Sequence, residues 1–302
     1  MPELPEVETI ARGVNERLRG DRIVEVWFGR HREPYKTPPT RQAKGLEGRA
    51  ILDVHRTGKH IVCELGSADE NLRSHPSRKN KDAARMGHPG TGLAEPESEA
   101  AAQWIVHLGM TGRLLVTAPE AAVAAHTHAR LTLASGRELR FVDPRRFGRL
   151  EFRDLRHGAG FSAPGVDPLM VTEEEFAGLF HSRRLTIKAA LLNQRLLSGV
   201  GNIYADESLF RAGIRPRRLC GRLTRKELER LRLALREVLL DAIRLGGSSV
   251  SDYVDADGVR GFFQLEHCVY LRTGLACLRC KTLIRRIVLA GRGTHFCPEC
   301  QV

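Results

Sequence analysis

The chain closes on Cys277-Leu278-Arg279-Cys280, sixteen intervening residues, and Cys297-Pro298-Glu299-Cys300, and this pattern constrains the fold more than any other stretch. Two CxxC pairs at that spacing predict a tetrahedral Zn2+ site with no ligand position left open, hence one structural metal rather than a catalytic one. Between the pairs, Thr282 to Leu289 and Thr294 to Phe296 flank Ala290-Gly291-Arg292-Gly293, which reads as a metal-stapled β-hairpin with Arg292 at its tip. The other cysteines, Cys63, Cys220 and Cys268, bring the total to seven, and they read as buried thiols in a reducing compartment.

A net charge of +12 over 302 residues favours a polyanionic partner, because a surplus of Lys and Arg displaces the counterions of a phosphate backbone. Nucleic acid leads, and an arginine at a hairpin tip suits a DNA groove. No apolar run reaches membrane length, and the first residues lack the basic and apolar regions of a secretory leader. The expectation is therefore a cytoplasmic protein that does not bind membranes.

Met1-Pro2-Glu3-Leu4-Pro5-Glu6-Val7-Glu8 admits two readings. Proline and acids in a first turn are ordinary helix-start chemistry. Alternatively, removal of Met1 would free the Pro2 secondary amine; an α-amine titrates near 7.7 to 8.0, so part of it is an unprotonated nucleophile at neutral pH. Glu3 beside it could shuttle protons to the ring oxygen and leaving group of an attacked sugar.

Val7, Ile10, Val14 and Leu18 recur at helical spacing and Gly20 ends the pattern, predicting one helix from about 4 to 19. Seven short strands follow, at 23–28, 50–54, 59–65, 103–108, 114–117, 129–134 and 138–142, which predicts a β-sandwich domain over 1–155. Ser67 to Ala100, with clustered charges and prolines, reads as a disordered surface insertion. Helices are expected from 170 to 265, with capping boxes at Thr172 to Glu175 and Thr224 to Glu227, and the finger from 266 to 302. The fold class is thus α+β. Ser198-Gly199-Val200-Gly201-Asn202 between two helices suggests a phosphate-binding turn, since glycines let backbone N–H groups approach an anion.

His107-Leu108-Gly109-Met110-Thr111-Gly112 and Asp143-Pro144-Arg145-Arg146-Phe147-Gly148 follow strands and carry Met110, Arg145 and Phe147. A protein that extracts a base from a duplex needs such wedge side chains, although Met and Phe are equally at home in a core. Lys59, in Thr57-Gly58-Lys59, stands at a strand start where a cation could meet phosphate or assist proton transfer.

Together these stretches resemble the bacterial formamidopyrimidine-DNA glycosylase family, from PELPEVE through RTGKH, HLGMTG, DPRRFG, IKAALLNQ, GVGNIYADE and DYVDADGVRGFFQ to the four-cysteine finger. The resemblance spans nearly the whole chain. It implies a bifunctional DNA glycosylase and abasic-site lyase of base excision repair, a monomer acting on damaged double-stranded DNA in the bacterial nucleoid. By the same resemblance Pro2 is the Schiff-base nucleophile, Glu3 the general acid and base, and Lys59 and Arg292 the groups associated with β- and δ-elimination. His126, Arg145, Arg184, Lys188 and Asn202 hold phosphates, and Met110, Arg145 and Phe147 fill the gap left by a flipped nucleotide. Glu6 belongs to the base pocket, and a loop at about 252–264 caps the lesion. Cys277, Cys280, Cys297 and Cys300 hold the zinc. PELPEV rather than PEGPEI favours oxidised purines over the oxidised pyrimidines of the endonuclease VIII branch. A zinc-finger DNA-binding protein without chemistry would leave Pro2 and Glu3 unexplained. The insertion depart from the family pattern, as does Leu271, which stands where a glycine is expected.

Overall fold

A computed structural model describes residues 2–30, 34–68, 99–250 and 253–302. In chain order the elements are α1 (Leu4–Leu18), β1 (Ile23–Phe28), α2 (Pro39–Leu46), β2 (Ile51–Thr57), β3 (His60–Leu65), β4 (Ala102–His107), β5 (Arg113–Thr117), β6 (Thr127–Leu133), β7 (Glu138–Val142) and β8 (Arg149–Asp154). Then come α3 (Glu173–Phe180), α4 (Ile187–Leu191), α5 (Asn202–Arg211), α6 (Arg225–Arg244), β9 (Arg285–Leu289) and β10 (Arg292–Phe296).

Two antiparallel four-stranded sheets, in the orders β1-β6-β7-β5 and β2-β3-β4-β8, bury one apolar core between them. Trp104 and Phe141, one from each sheet, are its bulkiest fully buried members. Two elements were absent from the sequence reading. In α2, Pro39 takes the first helical position, where a missing N–H costs nothing, and the Pro38-Pro39 pair hid the start. In β8, four charges in six residues obscured the inward pair Leu150 and Phe152. Most of the expected insertion, 69–98, lies outside the described residues; its flanks leave β3 and β4 in register, with Leu65 opposite Ala102.

Both expected capping boxes form, Thr172 with Glu175 and Thr224 with Glu227, and they fix the starts of α3 and α6. The helices bury a second core around Phe176, Leu191, Tyr204, Leu235 and Phe263. Helix α1 serves both cores. Its Val7, Ile10, Val14 and Leu18 face the sandwich, whereas Leu4, at its first position, packs among the helices. The N-terminal turn of α1 is thus wedged where the two cores meet.

The β9–β10 hairpin turns on Ala290 and Gly291, with φ of 48° and 69°. Two positive φ values in a two-residue turn match the twist of the strands. Arg292 is therefore not the tip itself but the first residue of β10, opposite Leu289. Leu271, in the lead into the finger, has φ of 59° and is exposed, which is a glycine conformation held by a leucine.

Candidate active site at the junction of the two cores

Pro2 and Glu3 are buried at the start of α1. The Glu3 backbone N–H donates to Glu6 Oε2 at 2.8 Å, and the Leu4 N–H donates to the Gly199 carbonyl at 3.0 Å. The Ile203 N–H, in the first turn of α5, donates to Glu3 Oε1 at 3.3 Å. Glu3 Oε2 is buried and without a hydrogen-bond partner among the described residues. The positive end of α5 therefore points at a carboxylate of the protein itself.

The Gly199-Val200-Gly201 turn is packed against the start of α1. A Cβ on Gly201 would lie 2.1 Å from Glu3 Cδ, and one on Gly199 2.9 Å from Leu4 Cβ, so both glycines are required by the close approach of Glu3 and α1. Gln194 braces the turn by donating to the Val200 carbonyl at 2.7 Å and accepting from the Gly199 N–H at 3.0 Å.

Burial raises the Glu3 pKa, opposed chiefly by the charge of Lys59 and then by the Ile203 N–H. Lys59 lies in the tight turn between β2 and β3, where Gly58 has φ of 63°. Burial lowers its pKa, the charges of Glu3 and Glu6 oppose that shift, and Arg292 adds to it. The four expected catalytic residues thus share one electrostatic neighbourhood, although they come from α1, the β2–β3 turn and the finger. A carboxyl biased toward its protonated form beside an amine biased toward its neutral form is an acid–base pair usable near neutral pH.

Glu6 is 2% exposed and accepts from Glu3 N–H, Ser248 N–H at 2.8 Å and the Tyr204 hydroxyl. Burial, then the neighbouring Glu3, pushes its pKa up to about 7. Tyr253 and Ala256, from the expected capping loop, pack into the sandwich core, and the Val116 N–H donates to the Ala256 carbonyl at 2.9 Å. Val259 and Phe262 stay exposed, but the Phe262 N–H donates to the Leu245 carbonyl at 2.9 Å and Phe263 is buried among the helices, so the loop is anchored at both ends and presents its middle to solvent.

The two wedge loops meet backbone to backbone. Gly109, with φ of 63°, has no room for a Cβ, which would sit 2.5 Å from the Gly148 nitrogen. Met110 is 41% and Phe147 48% exposed, which removes them from the core, and the Arg145 guanidinium lies 4.9 Å from the Phe147 ring centroid. Asp143, overlooked as a functional residue in the sequence, organises both loops. Fully buried, it accepts from Thr111 Oγ1 at 2.6 Å and from the Gly148 N–H at 2.8 Å. The aspartate-proline pair that opens the second loop was the available signal, because short acidic side chains commonly bond their own turns.

Two expected phosphate ligands hold partners within the protein. Lys188 is fully buried, and its ammonium donates to Asp206 Oδ1 at 2.5 Å and to the Asn202 carbonyl at 3.1 Å. A buried, paired ammonium stabilises the helix pair rather than meeting a solvent-borne phosphate. Asn202 Nδ2 donates to the Gly293 carbonyl at 2.9 Å, which ties α5 to the finger. His126 and Arg184 are exposed, as is Arg145. The Asp206-Glu207 pair was also missed. Asp206 accepts the His295 N–H at 2.9 Å, and Glu207 accepts the N–H groups of Cys268, Val269 and Tyr270 at 2.8 to 3.0 Å, so one turn of α5 fixes both the hairpin and its lead-in.

The sulfurs of Cys277, Cys280, Cys297 and Cys300 lie within 4.8 Å of one another. Bonds of about 2.3 Å in a tetrahedron require sulfurs about 3.8 Å apart, and the Cys277–Cys300 pair stands at 3.9 Å. Four thiolates fit one Zn2+, which would lock the hairpin and leave no position for substrate.

A sandwich and a helical domain sharing a buried carboxyl of raised pKa, with two loops that expose Met110 and Phe147 and a four-cysteine hairpin alongside, fit a DNA-processing enzyme better than a passive DNA-binding module. The formamidopyrimidine-DNA glycosylase N-terminal domain matches residues 1–150, its H2TH domain 165–254, and the zinc finger found in FPG and IleRS 274–302. The formamidopyrimidine-DNA glycosylase of Solibacter usitatus is 41% identical, with 100% of this chain and 99% of that protein aligned. The Lactococcus lactis Fpg in complex with abasic-site DNA superposes with a TM-score of 0.79 at 30% identity, covering 99% of both chains. A variant of the same enzyme bound to Fapy-dG-containing DNA gives 0.80 at 30% identity over the same share. The chain belongs to the formamidopyrimidine-DNA glycosylase family.

Proposed function

We propose that this protein removes oxidised purines, chiefly 8-oxoguanine and ring-opened formamidopyrimidines, from double-stranded DNA and then cleaves the strand at the abasic site. The observation that carries the reading is Glu3: a buried carboxyl with one oxygen on the α5 terminus and the other unpartnered, next to Pro2 and within the field of Lys59. The amine freed by removal of Met1 attacks C1′, the bond to the base breaks, and Glu3 protonates the ring oxygen as the sugar opens to an imine. Lys59 serves proton transfer in β-elimination, and Arg292, reaching from the first residue of β10, serves δ-elimination. Glu6 shapes the base pocket. Met110, Arg145 and Phe147 enter the stack that the base vacates, and His126, Arg145 and Arg184 hold phosphates. Residues 1–155 supply the nucleophile and wedge, 170–265 the helical DNA-binding domain and capping loop, and 266–302 the finger.

The protein acts as a monomer in the cytoplasm, on the nucleoid. No helix among the described residues is long and apolar enough to cross a membrane. Borohydride trapping tests the chemistry. The protein should become covalently joined to an 8-oxoguanine duplex far more readily than to a thymine-glycol duplex, and failure to trap on either would refute an imine mechanism.

A further inference from the structure

A cleft of about 460 Å³ opens beside the second wedge loop, lined by Trp27, Arg30, His126, Thr127, Pro144 and Arg146 among others. It is separate from the Glu3 site. Trp27 lies on β1, where Val26 and Phe28 turn toward the core and Trp27 turns outward, 42% exposed. The Arg130 guanidinium stands 5.9 Å from its ring centroid. The chain has two tryptophans; the other, Trp104, is 1% exposed and donates to Gln42. A half-exposed indole among arginines is a good face for a nucleobase.

The backbone supports the same conclusion. His126 and Arg146, both lining this cleft, have φ of 64° and 57°, and they are two of the few non-glycine residues with positive φ among the described residues. Such strain persists where the surroundings enforce it and clusters at ligand sites. The Asp143 N–H donates to the His126 carbonyl at 3.0 Å, so the two strained residues are stitched together by the aspartate that also holds the wedge. The left-handed turn at Arg146 divides the loop's side chains. Arg145 goes with Phe147, and Arg146 goes to the cleft.

We propose that this cleft is a second nucleic-acid site that takes one unpaired nucleotide, the base stacked on Trp27 and the phosphate held by Arg30 and Arg146. The volume suits a single nucleotide, within the usual range of about 300 to 1,000 Å³ for ligand sites. The inference rests on the reading of the protein as a DNA-binding enzyme, but its test does not depend on base removal.

Titration of the full-length protein with an unmodified thymidine octanucleotide, read by intrinsic tryptophan emission, should quench the exposed Trp27. Trp27→Leu should abolish the quenching and weaken binding about tenfold by fluorescence anisotropy of the labelled oligonucleotide, and Trp27→Phe should retain most of the affinity. Arg146→Ala should weaken binding at low salt and lessen its salt dependence, so that the deficit against the parent shrinks as salt is raised. Inorganic phosphate alone should leave the emission unchanged. Quenching by phosphate alone, or equal affinities for the parent and Trp27→Leu, overturns the proposal. Equal weakening by Trp27→Leu and Trp27→Phe overturns it too. Cleavage of a blunt 8-oxoguanine duplex should proceed in Trp27→Leu; its loss in the parent would refute the glycosylase reading while leaving this one standing.

Discussion

Gly201→Ala should damage the chemistry far more than the fold. At Gly201 φ is −132° and ψ −162°, an extended conformation open to any residue, so alanine brings no backbone strain. Its Cβ would lie 2.1 Å from Glu3 Cδ and 2.3 and 2.5 Å from the two carboxylate oxygens, whereas ordinary contact begins near 3.4 Å. The carboxyl must therefore withdraw by about 1.3 Å, and misplacing a reacting group by roughly 1 Å costs on the order of 10² in rate. Because the displaced group is the far end of a flexible side chain, the stability loss should stay near the low end of the usual 1 to 3 kcal/mol of overpacking, about 1 kcal/mol. Single-turnover excision of 8-oxoguanine is the assay, run beside thermal melting and DNA affinity, with Glu3→Gln setting the inactive floor. Excision within about threefold of the parent would show that the glycine does not position the carboxyl and would refute the argument.

Phe147→Ala should slow excision about tenfold or more yet spare cleavage of a preformed abasic site, since a half-exposed ring matters only when a base must leave the stack; a collapsed melting temperature with equal loss of both reactions would return Phe147 to a packing role. Glu6, raised to about 7, binds its proton in the folded state between the ordinary carboxyl value of 4.5 and 7. Its contribution to stability is thus present below pH 4.5 and lost as pH rises through 7, on the order of 3 kcal/mol. Melting curves from pH 5 to 8 should show that loss in the parent and not in Glu6→Gln. Leu271→Gly should leave stability unchanged or raise it by up to about 1 kcal/mol, because relief of a left-handed leucine outweighs the freedom gained by the unfolded chain. A clear fall in the melting temperature would show that the leucine side chain, not the backbone, matters there.

Features that follow from local rules were legible in the sequence. The cysteine spacing predicted the four-sulfur cluster, the capping boxes predicted the starts of α3 and α6, and the periodicity of Val7, Ile10, Val14 and Leu18 predicted α1. The site was legible by residue but not by partner. That Gly199 and Gly201 also make room for Leu4 and Glu3 was not legible, because those residues come from the other end of the chain. Lys188 was expected at a phosphate from the family resemblance, and its ion pair was not legible because nothing in a linear reading reveals Asp206 as its partner within the folded helix pair. Asp143, Asp206 and Glu207 carry no chemistry of their own, and their importance lies in the backbone N–H groups and side chains they gather, which only the tertiary structure brings within reach.

The division of α1 between the two cores has a consequence for engineering. Leu4 belongs to the helices and the rest of the buried stripe to the sandwich, so the helix is a rivet through both plates. Glu3 and Glu6 draw their partners, Ile203, Tyr204 and Ser248, from beyond the rivet. A chimaera carrying this sandwich on a foreign helical domain would inherit Pro2 and Glu3 yet lose the turn that aims them. Lesion preference and catalytic competence therefore cannot be traded as separate modules; they travel together with the seam.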